Sequence, residues 1–289
     1  MFRILNLGCA AALAVSFVAT SSYATTMIID GEGFESPSYS TTFATTGQLE
    51  GQASKLPNDA PFPGFATWVA STGTTSTAVV TASMASSGSQ SVQIDRAANE
   101  APGGGRWGAN IVGWPSERYV CIEWDMKVLD AGGPLGTFGP FFGVEAYDDD
   151  GIGASNGRIG LLGVDATTGD VLYTATGTGF LSETGAVVSF GDWNTYRIDL
   201  DFVAHEYGVY LNDVLLVTEP FEEGAGLDEL TDAPLATFAA AGDATSQGLT
   251  GTAFFDNYSV FQMSAKVPEP GSLLLVISCL GVAATRRRW

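Results

Sequence analysis

Glu123 and Asp125 lie two residues apart in a stretch of alternating polar and apolar side chains, and their spacing best fits acid–base chemistry in this chain. Side chains alternate across a strand, so both carboxylates fall on one face. Retaining cleavage of a glycosidic bond needs two carboxylates about 5–5.5 Å apart, one as nucleophile and the other as acid/base. The same face can also hold a ligand without reacting with it, or be a solvated polar surface. Other nucleophilic chemistry has few carriers. His205 is the single histidine, so any Ser-His or Cys-His triad would depend on it, and histidine-rich zinc or iron sites are excluded. It stands beside Glu206 and reads as a turn residue. Cys121 reads as a small buried hydrophobe rather than a nucleophile.

Three further groups can bind. The acidic turn Asp148-Asp149-Asp150-Gly151, with Asn156 close behind, supplies oxygens, and Ca²⁺ takes about six to eight of them. The EF-hand spacing is absent, because Ile152 and Ile159 stand where it needs oxygen ligands. Asp148 and Asp150 are therefore the weaker metal candidates. Arg106 and Trp107 sit in a Gly-Gly-Gly-Arg-Trp-Gly run, and Trp114 precedes Pro115. Loop tryptophans beside an arginine can stack a pyranose ring, or can fold back onto the edge of a sheet. Trp124, on an apolar parity, belongs to the core.

Those residues need a frame, and the pattern is that of β-structure. From Tyr119 to Val128 the positions Val120, Ile122, Trp124, Met126 and Val128 are apolar, while Glu123, Asp125 and Lys127 alternate with them. Residues 196–202 repeat this pattern, and 206–211 and 214–218 form a hairpin turned by Asn212-Asp213, both tolerant of left-handed dihedrals. Further strands are expected at 89–95, 139–147, 158–164, 171–174, 187–190 and 253–261, separated by Gly-rich turns. Residues 222–247, interrupted by Pro234, read as a loop or short helix outside the sheets. Many strands with no crossover helices predict an all-β fold, an antiparallel two-sheet jelly-roll sandwich.

The two ends have a different character. Residues 1–24 carry Arg3, an apolar stretch over 7–19 and Ser22-Tyr23-Ala24, the pattern of a secretory signal cleaved after Ala24. Cys9 would leave with it. Residues 25–266 form the expected ectodomain and hold 31 carboxylates against eight lysines or arginines, a net charge of −23. Repulsion on that scale disfavours nucleic acid and anionic lipid as partners. With Cys279 in the apolar tail, Cys121 is the ectodomain's lone thiol and no internal disulfide can form. In the tail, Val267-Pro268-Glu269-Pro270 precedes an apolar segment over 271–285 and then Arg286, Arg287 and Arg288. That segment is near the lower limit for a transmembrane helix, and the arginines should stay cytoplasmic.

The ordered Val-Pro-Glu-Pro, apolar segment and triple arginine of residues 267–289 resemble the PEP-CTERM sorting signal of bacterial surface proteins. The resemblance implies a transient anchor in the inner membrane. It also implies recognition of Pro268, Glu269 and Pro270 by an exosortase-like processing enzyme, then release to the cell surface or an exopolysaccharide matrix. Residues 194–216 resemble the late strands of concanavalin A-like jelly rolls. Retaining glycosidases on that sandwich carry Glu-x-Asp-x-x-Glu, which this chain matches at Glu123 and Asp125 but not at the third position, Val128. Glu145 and Asp148 are acids that could replace it, though no spacing places them there. Residues 28–35 and 254–260 resemble instead the first and last strands of galactose-binding-like jelly rolls. That alternative implies a structural Ca²⁺ held by Glu35 and Asp256. Phe254, Asp256, Tyr258 and Val260 share a parity, so Asp256 is expected on an inward face, where backbone N–H donors could satisfy it in place of a cation.

The reading is a noncatalytic exported protein of the cell surface or matrix, sorted through its tail. The alternative is a carbohydrate-binding module for exopolysaccharide, and behind it a glycoside hydrolase using Glu123.

Overall fold

The computed structural model describes residues 25–55, 65–101, 104–109, 111, 118–134, 136–148, 157–178, 181–224 and 226–263. The expected signal, the sorting tail with its apolar segment, Trp114 and Asp150 lie outside the described residues. Among those described, no helix is long and apolar enough to cross a membrane.

Along the chain the strands are β1 (Thr25–Asp30), β2 (Ala53–Lys55), β3 (Phe65–Ala70), β4 (Thr77–Thr81), β5 (Ser91–Arg96) and β6 (Arg106–Ala109). Next come β7 (Tyr119–Val128), β8 (Phe141–Asp148), β9 (Gly157–Asp165), β10 (Asp170–Thr174) and β11 (Leu181–Val187). The last are β12 (Asn194–Asp201), β13 (Glu206–Leu211), β14 (Val214–Pro220), β15 (Leu235–Phe238) and β16 (Gly251–Met263), with a short helix α1 (Ala244–Gly248) before β16. They build an antiparallel two-sheet sandwich. Sheet A runs β14-β13-β12-β7-β16, and on the far side of β16 lie β5 with β4 along its first half and β1 with β2 along its second. Sheet B runs β11-β10-β9-β8-β15-β6-β3. Strand β3 pairs with both β2 and β6 and so carries the chain from one sheet to the other.

The alternation read from the sequence sets the core. Val120, Ile122, Trp124 and Met126 of β7 are buried with Tyr196, Ile198 and Leu200 of β12, facing Val144, Ile159 and Leu162 of sheet B. Trp124 stacks on Tyr196 with centroids 5.7 Å apart. Where β3 crosses between sheets, an aromatic plug closes the end of the sandwich. Trp68 donates to Tyr39 Oη at 2.9 Å and meets Tyr258 edge-on at 5.4 Å, while Tyr258 Oη donates to the Ala233 carbonyl at 2.6 Å. Aromatic pairs of this kind add about 0.5–1.5 kcal/mol beyond their area burial.

The expected hairpin is present, and Asn212 and Asp213 both adopt positive φ. Three expectations need correction. Within 222–247 the chain makes β15 as well as α1, because a proline that breaks a helix is tolerated at the boundary of a strand, and the Pro234 carbonyl still accepts from Glu145 N. The strand expected at 187–190 lies earlier, at Leu181–Val187. Trp107 is no loop residue: it points inward from β6 and is 2 % exposed. Gly108 lies inside this four-residue strand, whose alternation is too short to read.

Candidate functional site

The outer face of sheet B brings together residues that are far apart in the chain. Register pairs Ala236 with both Arg106 and Gly143, so Arg106 of β6 shares its face with Glu145 and Tyr147 of β8. Arg158 of β9 lies opposite Tyr147 across a register shift. Residues 221–223 run beside the start of β9, with Glu222 N donating to the Ile159 carbonyl, and deliver the Glu222 side chain. Glu145 is completely buried at the centre. It accepts from Arg106 Nε and Nη2, from Arg158 Nη1 at 3.1 Å and from Tyr147 Oη at 3.0 Å. Arg158 turns its other side to Glu222, with Nε and Nη2 donating at 2.6 and 2.7 Å. Asp232, opposite Tyr147, lies over Gly108, where a Cβ would approach its Oδ1 to 2.4 Å.

An aromatic platform adjoins this polar cluster. Phe141 stacks on Phe238 with centroids 4.5 Å apart, and the Arg106 guanidinium sits 5.6 Å from the Phe238 ring centre. The Phe141 ring lies over the paired glycines 143 and 163, and a Cβ on Gly163 would come within 2.4 Å of its Cζ. The glycines are therefore a clearing in the sheet that seats the ring. Phe141 is buried, while Phe238 and Tyr147 are half-buried. The Arg106 and Arg158 side chains are 23 % and 19 % exposed, so their outer edges reach solvent.

The electrostatics assign protonation states. Burial pushes the Glu145 carboxyl up, but Arg106 and Arg158 together hold it below the usual carboxylate range. It is therefore ionised at neutral pH and cannot serve as a general acid. Burial, reinforced by the Glu145 charge, pushes the Tyr147 phenol well above its ordinary value, so it stays protonated and donates.

The carboxylates singled out by spacing occupy the other sheet. Glu123 and Asp125 do share the outer face of sheet A, and Val128 is buried. Glu145, on sheet B, cannot complete their set, and Asp148 accepts from Asp228 N at 2.9 Å instead. Asp125 accepts from Ser86 Oγ, Thr195 Oγ1 and Asn257 Nδ2 at 2.6–2.8 Å. Arg197, opposite Glu123 in register, pairs with Asp199 and Asp213 and stacks 4.0 Å over Tyr210. Burial pushes the Glu123 carboxyl up, and the charges of Asp213, Asp125 and Asp199 add to this against Arg197. Its acidic neighbours are thus held by other partners. Cys121 is buried, which pushes its thiol up and leaves it inert. His205 takes a left-handed turn conformation with its ring edge-on to Phe221.

Glu35 and Asp256 converge on Gly33, whose Cβ position would lie 3.4 Å from Asp256 Oδ1 and 3.7 Å from Glu35 Cγ. The expected parity fails, however. A bulge between Asp256 and Ser259, with Asn257 at φ 49°, leaves Asp256 on the side of Asp125 while Tyr258 and Val260 point inward. Asp256 is buried all the same and accepts from Ser86 N, Ser87 N and Asn257 N at 2.7–3.0 Å. Glu35 accepts from Ser89 N, Ser89 Oγ and Gln90 N at 2.5–2.7 Å. Both carboxylates pin the β4–β5 connection to the two ends of the domain. Among the described residues no group of three or more His, Cys, Asp or Glu side chains is poised around a metal.

Comparison with known proteins reaches the fold only. No family model and no curated protein matches this chain. Among solved structures, a carbohydrate esterase of the Shiga toxin-encoding bacteriophage phi24B superposes with a TM-score of 0.50 at 14 % identity, over 83 % of this chain and 100 % of its own. The alginate lyase Aly36B gives a TM-score of 0.47 at 10 % identity, over 85 % of this chain and 99 % of its own. An endo-β-1,4-glucuronan lyase from Trichoderma reesei gives 0.46 at 10 % identity, over 70 % and 93 %. The chain is similar to these in its all-β sandwich.

Of the residues at the sheet B cluster, the sequence pointed to Arg106 as a ligand contact and raised Glu145 for a different role. Tyr147, Arg158, Glu222 and Phe238 were missed. Alternation along β8 does place Glu145 and Tyr147 on one face, but no local signal ties them to Arg158 or Glu222.

Because the folded-state carboxyl of Glu145 titrates lower than an unfolded glutamate, its contribution is complete above about pH 4.3 and is lost as pH falls through the lower folded value. Glu145→Gln should destabilise the protein at pH 7 by roughly 1–3 kcal/mol and flatten the acid limb of the stability curve. Denaturant melts between about pH 2 and 7 measure both.

Proposed function

We propose that this chain is an exported, noncatalytic carbohydrate-binding protein that holds its glycan on the outer face of sheet B. One observation carries the reading. Two half-buried aromatic rings, Phe238 and Tyr147, flank guanidinium edges around a fully buried carboxylate that accepts from both arginines. Aromatic faces stack on the C–H faces of a sugar ring, and guanidinium edges donate to its hydroxyls. The protonation states at this cluster support a binding role over acid–base hydrolysis. Glu145 is held ionised, the Tyr147 phenol stays protonated, and the Glu123–Asp125 pair lies on the opposite sheet, where buried Val128 takes the third position of the glycosidase pattern. The sandwich shared with the phage carbohydrate esterase supplies a fold and nothing finer.

Export and sorting belong to the same reading, supported by the sequence of residues 1–24 and 267–289. The precursor is held in the inner membrane by its tail, cut at Pro268-Glu269-Pro270 by an exosortase-like enzyme, and passed to the surface or matrix. A structural Ca²⁺ between Glu35 and Asp256 is a separate proposal, supported by their convergence on Gly33. The N–H donors already meet the needs of the buried Asp256 carboxylate, so the ion would add to the clamp rather than create it.

Phe238→Ala should weaken binding to a retained polysaccharide about tenfold, the equivalent of roughly 1.4 kcal/mol, measured well below a melting temperature that loss of the Phe141 stack also lowers. Affinity electrophoresis against a panel of immobilised glycans reads this, and a chain retarded by none of them sinks the proposal. Removal of residues 267–289 should move the protein from the cell-surface fraction to the soluble exported fraction, and unchanged partition would refute the sorting signal. Calcium should raise the melting temperature of the wild type but not of Asp256→Asn; a wild-type melt identical in calcium and in chelator removes the ion from the account.

A further inference from the structure

Resting on the carbohydrate-binding reading, we infer that the outer face of sheet B selects an uncharged glycan and rejects uronate polymers, because both of its guanidiniums are already engaged by the protein's own carboxylates. Arginine recognises a carboxylate through its planar fork of N–H donors. Arg106 gives its Nε and Nη2 edge to Glu145 and its Nη1 to the Gly104 carbonyl at 3.5 Å, and Arg158 gives its Nε and Nη2 edge to Glu222 and its Nη1 to Glu145. What remains for a ligand is single N–H donors, suited to hydroxyls. A uronate could claim either fork only by evicting Glu145 or Glu222. Glu145 has no exposed surface through which water could replace the lost partner, so its eviction would leave an uncompensated buried charge.

The charge count on this face points the same way. Arg106 and Arg158 are set against Glu145, Glu222 and Asp232, so the face as a whole carries no excess of positive charge. At longer range, residues 25–266 carry a net charge of −23, which repels a polyanion before it arrives. The recognition surface left over consists of the Phe238 ring, the Tyr147 ring and the outer guanidinium edges. Those groups offer stacking and neutral hydrogen bonding.

The test is isothermal titration of the purified full-length protein, solubilised in detergent, with a neutral β-glucan and with polygalacturonate of matched chain length, at about 50 and 500 mM salt. The expected result is at least tenfold preference for the neutral polymer, with affinity nearly independent of salt. Glu145→Gln, which loosens the Arg106 fork and its hold on Arg158 Nη1, should narrow that preference by raising affinity for polygalacturonate in low salt. If this variant fails to fold, the salt series on the wild type still decides. Tighter wild-type binding to polygalacturonate, weakening steeply with salt, overturns the inference while leaving carbohydrate binding intact. Binding to neither polymer removes the inference together with the carbohydrate reading beneath it.

Discussion

The architecture hangs on β16, the last strand described and the one every other part of sheet A is measured from. Over Gly251–Met263 it pairs with β7 along one side, and with β5 and then β1 along the other. The first described strand therefore pairs with the last, with Thr25 opposite Met263. Until β16 is in place, β1 and β5 have no partner that links them to β7, so the sandwich is built on contacts of very long sequence separation. Its bulge at Asn257 is part of the design. Shifting parity by one residue lets Phe255 and Val260 both face the core while Asp256 turns toward the β4–β5 connection. A regular strand could not have met both demands, because its side chains alternate strictly.

A second constraint operates on sheet B, where Glu145 is buried as an ion. Two arginines and a tyrosine satisfy it. Removing a charge from water is costly enough that the partners must be in place whenever the protein is folded. Strands β6, β8 and β9 and the segment after β14 are thereby brought into one polar lattice on top of their backbone pairing. The same lattice holds the Glu145 carboxyl below the usual carboxylate range, because the two guanidiniums outweigh the cost of its burial.

The two outer faces treat acidity differently. On sheet A, Arg197 sits between Asp199 and Asp213 and beside Glu123, so one guanidinium serves several carboxylates and the face stays acidic. On sheet B the arginines are matched by their partners, and aromatic rings occupy the clearing made by glycines 143 and 163. The first face has the character of a solvated, repulsive surface; the second joins paired charges to aromatic rings. That difference, rather than any motif, separates them.

The sequence by itself determined the class of fold, most strand positions and the core. Period-two alternation is a local property, legible in β7, β12 and β13 without knowledge of any partner. It also located the Asn212-Asp213 turn, made Cys121 and Trp124 core residues, and drew Glu35 and Asp256 together through their resemblance to known terminal strands. Only the tertiary structure decided what these positions do. The bulge at Asn257 reversed the parity expected for Asp256, and a four-residue strand with a glycine inside it buried Trp107, because neither leaves a trace longer than a few residues. The Arg106–Glu145–Arg158–Glu222 lattice was invisible for a different reason. Its members come from β6, β8, β9 and the segment after β14, up to 116 residues apart in the chain, and an ion pair carries no periodicity. Which charge meets which is set by register and strand order, and those exist only after the chain has folded.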